Sequence, residues 1–491
     1  MSKTLNHEVT QDLAPFLERC FLFDAVEDSY TISGITGEVP RWIRGTYYNN
    51  APARFERAGA RYRNWLDGDG MIYALSFAGN EIEFCNRFVR TRKWTEEEAA
   101  GRMIYRGFGT AFPGDKLRRG LMLEPPVNVS VYAYAHRLLA FGEQSLPVEL
   151  DPVTLETRGD YDFLGSLNEV TPFAAHPKFE PATGVMVNFG ISFSATQPAL
   201  HVYEFEPTGK LARRKRYPIK YQHSNHDFGL SGNHAVFFLS PFLMNFQKFW
   251  NGASVMESLE WEPEKGSRIL VAPRDSRVDA AFEVEVGSGY CLHMIHCFES
   301  KGTLYVDVLE LDSPVYGEYQ PMPDIFVNVT PGRPVRYRLD LDSRRLIDRV
   351  PMDYSYSLDF PSINNNLIGR PYEDFWFLGI TATGRSGRKF FDQLAHANWR
   401  SGAVDDVYQA GSGKYFGGEP VYVPNPEDEE EGVVIIQQVD AVADRAEFLL
   451  FDAHQVARGP IARLPLRHKI HPGFHASFAA AAQPQSTPSF R

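Results

Sequence analysis

Apolar and polar residues alternate along much of this chain. The run Val335-Arg336-Tyr337-Arg338-Leu339-Asp340-Leu341 does so strictly, as a strand with one face in a core and one in water should. Similar runs cover Met71 to Phe77, Ile82 to Phe88, Thr303 to Leu311 and Glu447 to Phe451. Turn signals lie between them: Ala78-Gly79-Asn80, Asp151-Pro152, Glu180-Pro-Ala-Thr-Gly184 and Glu206-Pro-Thr-Gly209. Proline presets φ and glycine supplies a positive φ, so these stretches read as hairpin corners. Strand–turn–strand units continue from about residue 30 to 478 with no linker-like break. The pattern predicts helices over Gln11 to Cys20, Thr95 to Met103 and near Phe242 to Leu259.

An all-β chain of this length must hide its strand edges, and a propeller does so by radial repetition. No exact repeat is visible, so the pattern alone leaves the blade count open, and an elongated double sandwich fits the composition too. The expected organisation is one β domain over 30–478. An N-terminal segment (1–29), helical and partly disordered, precedes it, and a flexible Ala-, Pro-, Gln- and Ser-rich tail (479–491) follows. Glu427 to Glu431, after Pro424 and Pro426, reads as a solvated acidic loop. It has no glycine turn and lacks the spacing of an EF-hand.

Composition narrows the function classes. Hydrophobic residues make up 43% and charged residues 23% of 491, the balance of a soluble globular protein. A formal charge of -12 argues against nucleic acid as a partner. Cys20, Cys85, Cys291 and Cys297 form no CxxC pair and read as reduced thiols of a cytoplasmic protein. The N-terminus lacks the apolar core of a signal peptide. The longest notable uncharged apolar run, Ala235 to Gln247, is well short of the ~20 residues that span a bilayer.

Among fourteen histidines, three contexts stand out. His176 sits in AAHPKFEPATG before a hairpin corner. His226 lies in HSNHDF ahead of an apolar strand. His475 lies in HPGFHASF, where proline and glycine bend the chain. His293 belongs to a further strand, YCLHMIHCFE. In a radial fold, residues this far apart can converge on the axis; spacing alone equally allows four unrelated surface or core histidines.

Five stretches decide between these readings: NWLDGDGMIYALSF, FAAHPKFEPATG, HDFGLSGNHAVFF, HMIHCFE and PGFH. Together they resemble the carotenoid cleavage oxygenases, a family that includes the retinal pigment epithelium isomerase and the lignostilbene dioxygenases. The resemblance implies a seven-bladed β-propeller with a few helices and loops capping the active-site face. It also implies one Fe(II) per chain, held by His176, His226, His293 and His475, with positions open to dioxygen. Three acids would accept hydrogen bonds from the far nitrogens of three imidazoles, at positions matching Glu143, Asp359 and Glu419. Such carboxylates fix the tautomer, orient the ring and raise its basicity.

The implied reaction is oxidative cleavage of a conjugated carbon–carbon double bond into two carbonyl products, with no organic cofactor. Two departures from the family pattern stand out. Asp359 replaces the usual glutamate and is one methylene shorter, so its hydrogen bond is expected to be longer, shifted or water-bridged. His296 stands where a small polar residue is usual. Three residues along a strand reverses the face, so His293 and His296 cannot share a metal without a bulge. The same parity separates His223 from His226, and both extra histidines read as structural or pocket residues.

Gly142 occupies the position where the lignostilbene branch carries a phenol-binding lysine, which favours an apolar polyene. The alternatives kept open are stilbene or phenylpropene cleavage, retinyl-ester isomerohydrolysis, and a metal-free propeller that only binds. A polyene substrate partitions into membranes. Phe237 to Trp250 is therefore either a peripheral docking surface on the inner membrane face or an ordinary core element.

Overall fold

The computed structural model describes residues 12–79, 81–192, 197–275, 280–315, 321–428 and 431–481. Seven antiparallel sheets of four or five strands follow one another along the chain, numbered here as blades 1 to 7. This is the seven-bladed propeller expected. Blade 5 shows why the alternation is clear in some strands and absent in others. Its first strand, Tyr290–Ser300, is buried on nearly every residue, and its third, Gly332–Asp340, alternates. Its outermost strand, Arg345–Pro351, is exposed almost throughout. The alternating run seen in the sequence is thus the third strand of a blade, half in and half out.

The first strands line the axis. Tyr290–Ser300 of blade 5 touches Gly229–Leu230 of blade 4 and Ser357–Ser362 of blade 6, which in turn touches Lys414–Pro424 of blade 7. The ring closes through both ends of the chain. Ala476–Ala480 pairs with Gly45–Arg54 in blade 1, and Thr36–Gly37 pairs with Ala462–Pro465 in blade 7. The last strand therefore runs two residues past the boundary expected at 478, because its backbone hydrogen bonds are needed to close blade 1.

The turn signals sit where hairpins form, with Gly184 and Gly209 at positive φ. The hairpin joining Tyr290–Ser300 to Thr303–Leu311 turns on Lys301 and Gly302, both at positive φ, as the strand twist requires of a two-residue loop.

Two of the expected helical stretches hold only shorter elements, and one helix is shifted. Gln11 lies outside the described residues, and the stretch after it holds one 3₁₀ turn, Leu17–Cys20. The second helix starts earlier, at Arg92, because Thr91 caps it by accepting the Trp94 N–H, and it ends at Gly101 with φ +60°. Phe242 to Leu259 divides into a strand Phe242–Met244 and two short helices, Phe246–Trp250 and Val255–Ser258. Among the described residues no helix is long and apolar enough to cross a membrane. Part of the acidic run, Glu429 and Glu430, and the tail beyond 481 lie outside them.

The Phe237 to Trp250 stretch resolves mostly into core. Phe237, Phe238, Leu239, Phe242, Leu243 and Phe249 are buried, and Trp250 is 61% exposed. A docking face made of the whole run is therefore excluded, because its side chains fill the packing around blade 4.

Candidate metal centre

Each of the four singled-out histidines lies on an axial strand or immediately beside one. His176 precedes Lys178–Phe179, the first strand of blade 3, and His226 precedes Gly229–Leu230 of blade 4. His293 lies within Tyr290–Ser300, and His475 directly precedes Ala476–Ala480. Their ligating nitrogens lie within 4.8 Å of one another. His176 Nε2 and His226 Nε2 are 2.9 Å apart, and His293 Nε2 and His475 Nε2 are 3.2 Å apart.

Carboxylates stand behind three of the rings. Asp359 Oδ1 is 2.5 Å from His293 Nδ1, and Glu419 Oε2 is 3.2 Å from His475 Nδ1. Glu143 Oε1 comes within 2.7 Å of His226 Nδ1, off the axis of a well-aligned hydrogen bond. His176 has no carboxylate partner among the described residues.

Backbone irregularities aim these groups. The register of Tyr290–Ser300 slips on both sides of Met294. That of Ser357–Ser362 slips after Asp359, where Phe360 takes φ 55°. That of Lys414–Pro424 slips between Gly417 and Val421, with Gly418 at φ +79°. Three bulges thus carry His293, Asp359 and Glu419, and bulges beside functional sites characteristically re-aim a side chain. The longer or water-bridged contact expected of Asp359 does not occur, because the bulge brings the shorter side chain up to the ring. Asp359 Oδ1 also accepts the Phe360 N–H at 2.9 Å.

His475 is held by its backbone: its N–H donates to the Val129 carbonyl and its own carbonyl accepts from the Asn50 N–H. Gly473 makes the approach possible, since a Cβ there would lie 1.9 Å from Asn49 Oδ1.

A metal fits this donor set. Where Nδ1–H faces a carboxylate, Nε2 presents a lone pair, so lone pairs converge on one point and repel unless a cation sits between them. Burial, reinforced by His475, His226 and His293, holds His176 well below the ordinary imidazole range. Burial likewise lowers His475. These rings are neutral, as ligands must be. At His293 burial is outweighed by Asp359, which draws the ring upward, and the imidazole in turn holds Asp359 below the usual carboxylate range.

The centre opens into a cavity of about 320 Å³ reached by His176, His293 and His475. His296 lines the same cavity but turns its Nε2 to the Arg370 carbonyl at 3.0 Å, so it is a pocket residue and not one of the four. His223 is spent on the Ser240 carbonyl at 2.7 Å. Two residues escaped the sequence reading. Lys178 Nζ pairs with buried Asp227 Oδ1 at 2.8 Å, and Asp227 also accepts the Phe228 and Met294 N–H groups. This pair ties together the segments that present His176, His226 and His293. The signal was present in HPK and HD, where each partner lies beside a singled-out histidine.

Residues 23–480 match the family described as retinal pigment epithelial membrane protein. The chain belongs to this family. Within it, the sequence is 29% identical over 470 residues to apocarotenoid-15,15'-oxygenase of Synechocystis, covering 92% of this chain and 94% of that one. It is 26% identical to isoeugenol monooxygenase of Pseudomonas nitroreducens, over 90% of this chain and 93% of the relative. Identity is also 26% to lignostilbene-alpha,beta-dioxygenase isozyme III of Sphingomonas paucimobilis, over 91% and 94%. The solved cobalt-substituted Synechocystis apocarotenoid oxygenase superposes with TM-score 0.86 at 27% identity, covering 95% of this chain and 98% of that one. The family's fold is therefore preserved here at modest identity.

Proposed function

We propose that this protein is a non-haem iron oxygenase that cleaves one conjugated double bond of a carotenoid or apocarotenoid into two aldehyde or ketone fragments. The observation that carries the reading is the convergence of His176, His226, His293 and His475, backed by Glu143, Asp359 and Glu419. The four imidazoles would hold one Fe(II) per chain, and the ion supplies the means of activating dioxygen. The chain's own part is positioning. The carboxylates fix the ring orientations and offset the charge of the ion in a buried site. Phe179, Phe228, Leu230, Ile295, Ile363 and Phe478 give the cavity an apolar wall that can hold a polyene in register and keep water out.

Gly142 favours the polyene over a phenolic stilbene. A Cβ at this position would lie 3.1 Å from Val127 Cα and 3.3 Å from Ser145 Oγ, so a lysine of the lignostilbene kind has no easy place here. Contact with a lipid surface, on this reading, falls to exposed Trp250 and the neighbouring Phe246, whose rings stack at 5.4 Å, and the enzyme works peripherally at the cytoplasmic face.

The test is aerobic incubation of the iron-loaded protein with an apocarotenal, resveratrol, isoeugenol and a retinyl ester in parallel, under isotopically labelled dioxygen. Labelled carbonyl products from the apocarotenal are expected. Turnover of resveratrol or isoeugenol alone would reassign the substrate. Unlabelled hydrolysis and isomerisation of a retinyl ester would point to an isomerohydrolase. A folded protein that carries no metal would reduce the site to a binding pocket.

A further inference from the structure

A second cluster of ligand-type side chains lies away from the axis. Asp374 is on the second strand of blade 6, Asp374–Ile380, and His396 is on the third, Gln393–Asn398. His454 follows the strand Arg445–Asp452 of blade 7. One ligating atom from each of the three lies within 4.8 Å of the others. The cluster is half-buried, so an ion held there would keep a coordination position open to water.

We propose that Asp374, His396 and His454 form a second metal site, for a divalent ion of the zinc class, that clasps blade 6 to blade 7. Two imidazoles and a carboxylate are a common zinc donor set with a fourth position free.

Three features build the site beyond mere proximity. His396 Nδ1 faces Asp406 Oδ2 at 3.1 Å, which leaves Nε2 pointing to Asp374 Oδ1 at 2.9 Å. This is the carboxylate-behind-histidine arrangement that orients metal-bound imidazoles. Asp406 is fixed in its turn by the Val456 and Ala457 N–H groups, at 3.1 and 2.8 Å, in the loop that carries His454. Finally, the ring nitrogens of His454 have no hydrogen-bond partner among the described residues, although the ring stands 5.5 Å from that of His396. Buried Trp376 steadies the assembly from beneath. It stacks on His396 at 5.3 Å and donates its indole N–H to the Ala453 carbonyl at 2.7 Å.

The rival account is an imidazolium tie, with His396 simply clamped between Asp374 and Asp406. In that account His454 has no part. On metal binding, the ion takes the place of the proton between His396 Nε2 and Asp374 Oδ1, and that proton leaves to solvent.

The experiment dialyses the protein, carrying the metal it has as purified, against micromolar zinc chloride and measures both metals. About one additional zinc per chain is expected, with the original metal retained and a melting temperature raised by mass action. His454→Ala leaves the clamp intact and should weaken zinc binding at least about tenfold and abolish the thermal shift. Asp374→Asn is the second variant, with the same expected loss. No additional zinc, or zinc bound equally by both variants (as displacement at the four-histidine centre would give), would overturn the proposal.

Discussion

A carboxylate one methylene shorter than glutamate has to be carried closer to its partner, and the bulge after Asp359 does this for His293. Asp359→Asn keeps an acceptor but removes the charge. It is expected to weaken metal retention about 10- to 100-fold, measured by chelator competition, with the fold unchanged. Asp359→Glu should not improve on the natural residue, because the bulge has already closed the gap that a longer side chain would fill. Gly473→Ala tests the neighbouring ring. Its methyl would meet Asn49 Oδ1, pushing the segment that carries His475, so metal content should fall although no ligand is changed. The histidines stood out by context, each in a distinctive local bend or strand, and the family resemblance gathered them into one candidate site. Lys178 and Asp227 lie beside two of those histidines, yet their pairing across blades leaves no local pattern of its own. The closeness of Asp359 to its ring depends on a backbone irregularity that side-chain identity does not encode.

Strands were readable where the two faces differ. Thr303–Leu311 has the bounds the alternation predicts, while axial strands, buried on both faces, show no period. The helix Arg92–Ala100 is mostly polar in sequence, yet Lys93 and Glu97 are buried in a network with Arg57 and Asp69. Charge satisfied across elements is invisible in a one-dimensional pattern.

Three predictions belong to elements. Phe242→Ala should cost about 3 kcal/mol by opening a core cavity, read by denaturant unfolding, whereas Trp250→Ser should leave stability intact and lower liposome binding. Glu299 ties blade 5 to the Ser231–His234 turn of blade 4. Burial would raise its carboxyl, but hydrogen bonds from His234, Ser231 and Asn233 win and hold it at about 2, against 4.5 for the free group. Its contribution is therefore complete above about 4.5 and is lost as pH falls towards about 2. Glu299→Gln should remove up to roughly 3 kcal/mol at neutral pH and flatten the acid limb of a stability–pH curve.

At the scale of the whole molecule, the density of strands and the absence of linkers left a propeller and a double sandwich both open, and the seven blades came from the family resemblance, because the blades share a shape and no sequence repeat. Blades 1 and 7 are each completed by a strand from the far side of the sequence, Ala476–Ala480 and Thr36–Gly37. Truncation after Pro472 removes His475 and the strand that completes blade 1, and it is expected to abolish both metal binding and a single sharp unfolding transition in calorimetry. His475→Ala should lose the metal alone and keep the transition.

The position of that strand also fixes an order of events during synthesis. A ribosome must make the chain through the strands of blade 7 and on to residue 475 before His475 can meet the other three imidazoles. A nascent chain stalled before residue 475 cannot bring the four rings together, so their convergence reports that all seven blades have been made.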